Sequence, residues 1–377
     1  MKRVITVILS MVMILSTMEV SAIEFDETVN FTQATLLMEA ETGQVLKEEN
    51  GYERLPIGTL NKVMTTLLVA ESIERKELSL ETLVTTSEYA NSMQQAQIWL
   101  LVGEQMTVAD LLKGVIIGNA NDACVALAEA VAGTEEEFTE LMNERAEELG
   151  MDNTHFLDCT GLNEDGQYST AKDVALMGRE LVKYRWLYEY MTTWLDYVRD
   201  GKTELVNENT LVRDCPSLTG IKAGHSAMSG NNVLASAERN GVTYISVVLG
   251  CKDKKKRFSI ARNLLNVGFE QFKVINPSFS REFMKPVAVK GGIVTAVEVD
   301  AESLKSLAVP MSSGEITNAI VLPKYVKAPV RKGQSIGLVG FYCGDELIYE
   351  TKLVAVDDIE KMTIAKAFCK LFNSLFG

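Results

Sequence analysis

Hydrophobic and polar positions change their spacing several times along the chain. Between residues 34 and 51, apolar segments flank a Glu-Thr-Gly-Gln turn, which predicts a β-hairpin. A helix is expected from about Thr59. Residues 107–130 predict two helices separated at 118–121, because Gly and Asn favour turns over helix interiors. Another helix is expected over 135–150, so the first half of the chain predicts one hairpin followed mainly by helices.

Strand patterns return from about Gly220. The segment GIKAGHS (220–226) and the continuous apolar run VTYISVVLG (242–250) are typical of buried strands. A lysine-rich loop then leads into a helix that ends near Phe272. This order of strands, helices and strands predicts an α+β domain over 23–275, whose first and last strands share one sheet.

The C-terminal part has a different pattern. Two prolines and no helical periodicity predict a linker over 274–286, and short alternating segments with Gly and Pro punctuation predict a small all-β domain over 283–356. Residues 358–377 predict a terminal amphipathic helix. Its apolar face would carry Met362, Ala365, Phe368, Cys369, Phe372, Leu375 and Phe376. With lysines opposite, this helix suits a membrane surface, the alternative being a helix docked on the β domain.

The N-terminus has the composition of a secretory signal. Lys2 and Arg3 precede an apolar run to about Leu15, and small residues at 20–22 form a cleavage pattern. We therefore expect cleavage after Ala22 and export of the mature chain. An uncleaved anchor helix is the alternative, although the apolar run is shorter than the ~20 residues that a membrane span needs.

Charge and composition exclude some classes of function. The 377-residue chain has a net charge of −14, which argues against binding nucleic acid. Its six cysteines form no CxxC pair and no metal-ligand spacing, so we expect most of them to be buried apolar side chains. Only two histidines, His155 and His225, are present, which disfavours a Ser-His-Asp triad or a His-rich zinc site.

Several segments, in order, resemble one family. They are TGQVLKEEN (42–50), LPIGTLNKVMTTLL (55–68), the run that begins NANDACVALAEA (119–130), GLNEDGQYSTAKDVALMG (161–178), NENTLV (207–212) and GIKAGHS. The chain is similar here to the serine D-alanyl-D-alanine carboxypeptidases, the low-molecular-weight penicillin-binding proteins. The resemblance spans about residues 25–355. It implies a β-lactamase-like or transpeptidase-like domain, with a sheet flanked by helices, followed by the small β domain and the terminal helix.

In that family the active site is formed by three sequence motifs, Ser-x-x-Lys, Ser-x-Asn and Lys-Thr-Gly. By resemblance, the first motif puts Thr59 at the nucleophile position and Lys62 at the general-base position, one helical turn apart. The second motif corresponds to Asn119, the altered proton-relay position, and to Asn121, which would hold the substrate peptide. All three motifs depart from the family pattern, starting with threonine in place of the serine.

The third motif becomes Lys222, Ala223 and Gly224, followed by His225 at the border of the same site. By resemblance these residues would bind the terminal carboxylate of the substrate, but alanine offers no hydroxyl. A literal Ser-Gly-Asn at 229–231 lies where strands turn and not between helices, so we do not assign it to the second motif. The threonine methyl restricts χ1 at position 59, and an asparagine has no titratable proton to relay.

Two functions remain open at this point. The first is a D-alanyl-D-alanine carboxypeptidase that trims peptidoglycan stem peptides with impaired turnover, without metal or organic cofactor. The second is an inactive module of the same fold that binds wall peptide or a protein partner. Either would act outside the cytoplasmic membrane of a bacterium, in the cell envelope, with D-Ala-D-Ala peptides and β-lactams as ligands and the membrane surface as a contact of the terminal helix.

Overall fold

The computed structural model describes residues 31–163, 165–280 and 284–368. The expected signal segment 1–22 lies outside these ranges, as do residues 369–377 of the expected terminal helix. The strands up to residue 275 are β1 (Ala34–Glu39), β2 (Val45–Glu49), β3 (Leu83–Thr85), β4 (Gln105–Thr107), β5 (Leu195–Val198), β6 (Thr203–Val206), β7 (Leu218–Ser226), β8 (Gly230–Arg239), β9 (Val242–Cys251) and β10 (Phe272–Ile275).

Helices fill most of the sequence between β2 and β7, and one more follows β9. They are α1 (Asn61–Glu74), α2 (Glu88–Asn91), α3 (Val108–Ile116), α4 (Asn121–Ala132), α5 (Glu135–Glu148), α6 (Ala171–Leu181), α7 (Tyr188–Met191), α8 (Leu211–Asp214) and α9 (Lys256–Gln271). Short 3₁₀ turns lie at Gly58–Leu60 and Arg185–Leu187.

A five-stranded antiparallel sheet forms the centre, in the order β2-β1-β9-β8-β7. The predicted hairpin is β1 with β2, and β1 also pairs with β9, so the first and last strands of the sheet region are neighbours as expected. Strand β8 was not anticipated. Its sequence GNNVLASAER is polar at both ends, which masked the buried apolar positions in its middle.

Two hydrophobic cores cover the two faces of this sheet. Leu36 and Met38 belong to the core that α1, α3, α4 and α6 share, whereas Leu37 belongs to the core beneath α9. Successive side chains of a strand point to opposite faces, so one strand supplies both cores. This explains why β1 and β9 are continuous apolar runs, and it confirms the α+β class.

The expected helix boundaries follow from capping chemistry. The Thr134 hydroxyl accepts a hydrogen bond from the Glu137 N–H at the start of α5. At the other end, Gly150 follows α5 with φ 72°, a left-handed conformation that favours glycine. The break between α3 and α4 also lies where the sequence predicts it, and Asn119 within it has φ 58°.

The remaining described chain is all-β. Its strands are β11 (Val287–Lys290), β12 (Ala296–Val297), β13 (Val299–Ala301), β14 (Leu307–Pro310), β15 (Ile316–Val321), β16 (Tyr325–Lys327), β17 (Ser335–Cys343) and β18 (Glu346–Ala355). They form the sheets β12-β11-β16 and β13-β18-β17-β15 around a third core, which includes Val289, Phe341 and Leu353. A small all-β domain was expected here.

Two expectations for this part need correction. The linker predicted over 274–286 begins inside β10, which pairs with β14 and so joins the two parts of the chain by backbone hydrogen bonds. The terminal helix does not start at residue 358, because Ile359 forms a β-bridge with Val330. Helical structure begins only at residue 364.

Asn232 of β8 ties the sheet to the segment that precedes α1. Its side chain is fully buried, donates to the Ile57 carbonyl at 3.1 Å and accepts from the Gly250 N–H at 2.8 Å. We expect Asn232→Ala to lower the free energy of unfolding by about 2–4 kcal/mol, because both backbone groups lose their partner in a dry environment. Chemical denaturation would measure this loss. The control Asn231→Ala removes one half-buried bond, to the Cys251 carbonyl, and should cost less than about 1 kcal/mol.

Candidate active site

Thr59 lies in the 3₁₀ turn immediately before α1. Gly58 enters this turn with φ 53°, a conformation that suits glycine. Thr59 is only 7% exposed, and a Cβ built on Gly224 would lie 2.0 Å from its Oγ1. The hydroxyl is therefore directed at the backbone of Gly224 in β7. Among the described residues, this buried Oγ1 has no hydrogen-bond partner.

Lys62 is fully buried one turn further along α1. Its Nζ donates to Asn121 Oδ1 at 2.7 Å and to the Thr160 carbonyl at 2.8 Å. Burial lowers the pKa of the Lys62 amine, against the opposing effect of nearby Cys124, Cys159 and acidic groups. A lowered pKa favours the neutral amine that a general base needs. The amine is held by α4 and by the loop after α5, and not by the Thr59 hydroxyl.

The loop that supplies the Thr160 carbonyl was not recognised from the sequence. Asp158 organises it by accepting hydrogen bonds from the backbone N–H groups of Thr160, Gly161 and Asn163. Gly161 has φ 83°, and a Cβ there would lie 2.0 Å from the Gly58 carbonyl oxygen. The loop thus packs directly against the turn that carries Thr59. The Asp-Cys-Thr-Gly sequence at 158–161 is the signal that could have identified this close approach.

Asn119 lies in the turn between α3 and α4, and Asn121 is the first residue of α4. Asn121 is buried, and while its Oδ1 accepts from Lys62, its Nδ2 donates to the Gln94 carbonyl at 2.7 Å. Asn119 has φ 58°, a left-handed conformation that asparagine tolerates better than most residues. Its Oδ1 is buried without a hydrogen-bond partner among the described residues. The asparagine therefore fits the backbone of this turn, and it leaves an acceptor atom free.

Lys222 of β7 approaches the same region from the sheet. Its Nζ donates to the carbonyl oxygens of Val115 and Ile116 at 2.7 and 3.0 Å, at the end of α3. Burial, together with the repulsion of Lys62, lowers the pKa of Lys222 to about 7. The third-motif lysine is thus only partly charged at neutral pH.

The side chain of Ala223 lies on the opposite face of β7 from Lys222 and Gly224. It is 2% exposed and belongs to the core beneath α9. Alternation along β7 explains this position, since the side chain of residue 223 leaves the strand on the face opposite to Lys222. The structure therefore brings together Thr59, Lys62, Asn121, Lys222 and Gly224, which we call the Thr59 site. It places Ala223 behind this site, in contrast to the expectation of a direct substrate contact.

His225 lies at the rim, with 53% of its side chain exposed. Its Nδ1 is 2.8 Å from Oε1 of Glu208, an acid that sequence reasoning did not single out. The same oxygen accepts from Nη2 of the fully buried Arg257. In the sequence Arg257 follows a run of lysines, a pattern typical of solvent-exposed side chains. The sequence therefore gave no sign that Arg257 is buried. Ser229 of the literal Ser-Gly-Asn lies in the turn between β7 and β8 and interacts with Ser226.

The chemistry available at the Thr59 site is acyl transfer or peptide binding. In the described ranges, no three His, Cys, Asp or Glu side chains are grouped to hold a metal ion. Four of the five described cysteines are buried, as expected, and Cys343 is half-buried. A hydroxyl, a buried amine of lowered pKa and an edge strand lie within one small region. These are the parts that a serine-type acyl transferase uses.

The lowered pKa of Lys222 predicts a pH dependence of stability. In the unfolded chain this amine stays protonated to about pH 10, whereas in the folded chain it loses its proton above about pH 7. The unfolded chain then binds more protons between these values, so the free energy of unfolding rises with pH. From pH 7 to 9 we expect a rise of about 2 kcal/mol from this group. Denaturation of Lys222→Met should show a flatter profile, with the exposed Lys202→Met as control. An unchanged profile in Lys222→Met would refute the assignment.

Comparison with known proteins identifies one family along most of the chain. Residues 5–253 match the family model of D-alanyl-D-alanine carboxypeptidase, and residues 279–361 match the C-terminal domain of penicillin-binding protein 5. The chain is 34% identical over 372 residues to D-alanyl-D-alanine carboxypeptidase DacF of Bacillus subtilis, covering 96% of this chain and 95% of that protein. It is 32% identical over 344 residues to DacC of Escherichia coli, covering 87% and 84%.

Solved structures show the same likeness. Penicillin-binding protein 5 from Haemophilus influenzae superimposes with a TM-score of 0.80 at 29% identity, covering 88% of this chain and 98% of that one. Penicillin-binding protein D2 from Listeria monocytogenes, in its ampicillin-bound form, gives a TM-score of 0.58 at 29% identity, covering 63% and 97%. The sequence matches and the shared overall fold lead to one conclusion: the chain belongs to the D-alanyl-D-alanine carboxypeptidase family of low-molecular-weight penicillin-binding proteins.

Proposed function

We propose that this chain acts on peptidoglycan stem peptides ending in D-Ala-D-Ala, through slow acyl transfer to Thr59 with Lys62 as base. One observation carries the proposal that the reaction is slow. The Thr59 hydroxyl is turned towards Gly224 without a hydrogen-bond partner, while the Lys62 amine is held by Asn121 and Thr160. Proton transfer needs the two groups within hydrogen-bond reach, so Thr59 must first rotate.

Threonine makes that rotation costly. Its branched Cβ limits χ1 to fewer conformations than serine has, and the methyl group must find room in a site where Thr59 is only 7% exposed. A displacement of ~1 Å at a reacting atom can cost about 10²-fold in rate. Backbone N–H groups, one of them from Thr59, would stabilise the oxyanion. The fold and the base are therefore retained, while the geometry of the nucleophile is poor.

Asn119 at the proton-relay position also limits proton transfer. The amide of Asn119 cannot exchange a proton as a hydroxyl does, although its free Oδ1 can accept a hydrogen bond from a ligand. Since such groups act as one unit, their penalties do not add. The inactive module that binds wall peptide or a protein partner is the alternative, and it would result if these losses together abolish acylation.

Substitutions at Thr59, Asn119 and Ala223 test the proposal. We expect Thr59→Ser alone to raise D-alanine release from a stem-peptide analogue by less than about tenfold. The triple variant with Asn119→Ser and Ala223→Thr should raise it by about 100-fold or more. Labelling of residue 59 by fluorescent penicillin, located by mass spectrometry, gives a second measurement. Thr66→Ser is a matched control, because Thr66 is as buried as Thr59 but lies within α1 and donates to the Lys62 carbonyl.

The outcomes separate the two functions. Wild-type release equal to that of the triple variant would show that the site is not impaired. No release and no label in the triple variant would favour the binding module. Full activity in Thr59→Ser alone would contradict the expectation that the changes at 119 and 223 also limit the reaction.

The proposed location is the outer face of the cytoplasmic membrane, after removal of residues 1–22. Within the described ranges, no helix has the length and apolar character of a membrane span. Contact with the membrane is instead proposed for the terminal helix. Ile364 and Phe368, one turn apart, are 92% and 68% exposed, which leaves an apolar surface uncovered.

Vesicle binding tests the membrane contact. The chain from residue 23 should sediment with vesicles that contain phosphatidylglycerol, and Ile364→Ser with Phe368→Ser should weaken binding by about tenfold or more, because two apolar side chains leave the interface. The control pair Val294→Ser and Leu304→Ser removes exposed apolar groups from the β domain and should have no effect. Equal sedimentation of both double variants would refute a membrane role for these residues.

A further inference from the structure

One tryptophan of the chain is exposed on a loop beside the Thr59 site. This loop, which we call the Trp99 loop, comprises residues 92–104 and connects α2 to β4. Trp99 is 71% exposed, whereas Trp186 and Trp194 are both half-buried. An indole is the largest apolar group that a side chain can expose to water, and at interfaces it commonly provides a contact surface. The exposed ring of Trp99 therefore needs a physical explanation.

The backbone of the loop holds this side chain outward. The neighbours Ile98 and Leu100 are buried, and their N–H groups donate to the two oxygens of the Asp122 carboxylate at 3.1 and 2.9 Å. Arg199 donates to the carbonyl oxygens of Ile98 and Trp99 at 2.6 and 3.2 Å. These hydrogen bonds fix the backbone on both sides of Trp99. Its exposure is thus built into the loop and is not the result of a loose segment.

The conformation of Trp99 is unfavourable for a bulky residue. Its φ is 55°, in the left-handed region that large side chains rarely adopt. A glycine would adopt this φ without strain and would expose no apolar surface. Backbone strain that the surrounding structure maintains is typical of functional sites. The loop therefore keeps an indole in water although this lowers local stability, which indicates that the indole face has a ligand.

The Trp99 loop is directly connected to the Thr59 site. The Asn121 N–H donates to the Ala96 carbonyl at 2.7 Å, and Asn121 Nδ2 donates to the Gln94 carbonyl. Trp99 follows Ala96 by three residues, so their Cα atoms lie within about 11 Å of each other. A stem peptide of about five residues spans about 17 Å when extended. These lengths are of the same order, so a peptide bound at the Thr59 site can bring the sugar at its other end to the Trp99 loop.

The exposed side chains of the loop suit a sugar ring. Leu101 and Val102 extend the apolar surface of Trp99, and Gln94 and Gln95 are exposed amides. One face of a pyranose ring presents C–H groups, which pack on an indole, while its hydroxyl groups stay available to water and to amides. A surface that combines an aromatic face with amide donors and acceptors matches both parts of such a ring.

Charge favours an uncharged ligand at this loop. The charged residue of the loop is Glu104, whose Oε1 accepts from Nε of Arg199 at 2.6 Å, so that the pair is internally neutralised. The chain as a whole has a net charge of −14, which disfavours an anionic polymer. The pyranose rings of a peptidoglycan glycan strand are uncharged where the stem peptide is attached. A glycan strand therefore fits this surface better than an anionic ligand does.

We propose that the Trp99 loop binds a sugar ring of the glycan strand, so that the chain prefers stem peptides that are still attached to glycan over free peptides. This inference rests on the proposed function, because it takes the Thr59 site to receive stem peptides. Trp99 lies outside that site, so it is a specificity-determining residue and not a catalytic one. A second copy of the chain is the alternative occupant of the apolar surface, and the exposed amides favour the sugar.

Two peptides test this preference. Both end in D-Ala-D-Ala and carry a dye on a lysine side chain, and one also carries a disaccharide of N-acetylglucosamine and N-acetylmuramic acid at its N-terminus. Fluorescence anisotropy would give a Kd of each for the chain from residue 23. We expect the wild type to bind the disaccharide peptide at least about tenfold more tightly, because the sugar covers the indole face.

Substitution of Trp99 separates binding from folding. Glycine adopts φ 55° readily, so Trp99→Gly should have a Tm equal to or above that of the wild type, while its affinity ratio between the two peptides should fall to about one. Trp99→Phe keeps an aromatic face and should retain a ratio of about threefold or more. The control Tyr325→Ala removes an aromatic ring that is 43% exposed on the β domain, and it should leave the ratio unchanged.

The disaccharide without peptide gives a second measurement, which does not depend on the Thr59 site. It should change the tryptophan fluorescence of the wild type, because the Trp99 ring passes from water to a sugar contact. The change should be absent in Trp99→Phe, which keeps Trp186 and Trp194. This measurement reports on the Trp99 loop even if no peptide binds.

The possible results distinguish this inference from the function on which it rests. Equal binding of both peptides by the wild type would overturn the glycan preference while supporting peptide binding. A folded Trp99→Gly variant with the wild-type ratio would also overturn it. If neither peptide binds but the disaccharide changes the fluorescence, the proposed function fails and the sugar contact is supported. Self-association that is lost in Trp99→Gly, without any response to the disaccharide, would overturn the inference in favour of a second copy.

Discussion

The buried amine of Lys62 is the interaction on which the rest of the site depends. It joins α1 to Asn121 at the start of α4 and to the Thr160 carbonyl in the loop after α5. An amine without hydrogen-bond partners at this depth would be strongly unfavourable, so these two contacts hold three elements in one arrangement. The loop is held in turn by Asp158 and by the close approach of Gly161 to Gly58. The position of Thr59 is a consequence of this packing.

The same constraint explains how a fold can persist independently of the reaction at its site. Lys62, Asn121 and Lys222 are all bound to structural partners, and each contributes to the folded state irrespective of catalysis. Thr59 and Asn119 instead carry buried oxygen atoms without partners. By the motif assignment predicted from the sequence, the residues with a structural task match the family motifs, whereas Thr59 and Asn119, two of the three positions expected to be altered, carry polar atoms that support no other part of the described chain.

Charge compensation forms a second layer around the site. Arg257 lies between α9 and β7, and its guanidinium binds the Gly224 carbonyl, so the strand that faces Thr59 is supported from behind by a buried cation. Glu208 neutralises that cation within the chain. An internal counter-ion leaves the guanidinium less available to an anionic ligand than an unpaired one would be. The position of the Glu208 carboxylate at the rim of the site therefore follows from the need to neutralise the buried Arg257 guanidinium.

Much of the fold was accessible from the sequence because it depends on local patterns. The β1–β2 hairpin, the break at Asn119 and the family motifs all follow from residue types at short spacing. Strand β8 escaped recognition because its ends are polar, and β10 because its partner β14 is distant in the chain. Pairing between two segments that are distant in the chain leaves little signal in the sequence of either segment.

The sequence by itself determined the family and the α+β class, and it predicts where the three altered motifs lie. Only the tertiary structure decided that Thr59 faces Gly224 and not Lys62, that Ala223 lies in the core beneath α9, and that Glu208 meets Arg257 beside the third motif. Motif spacing specifies which residues can share a helix face or a strand. Hydrogen bonds and ion pairs form between segments that are far apart in the chain. The distances between their atoms depend on how these segments pack.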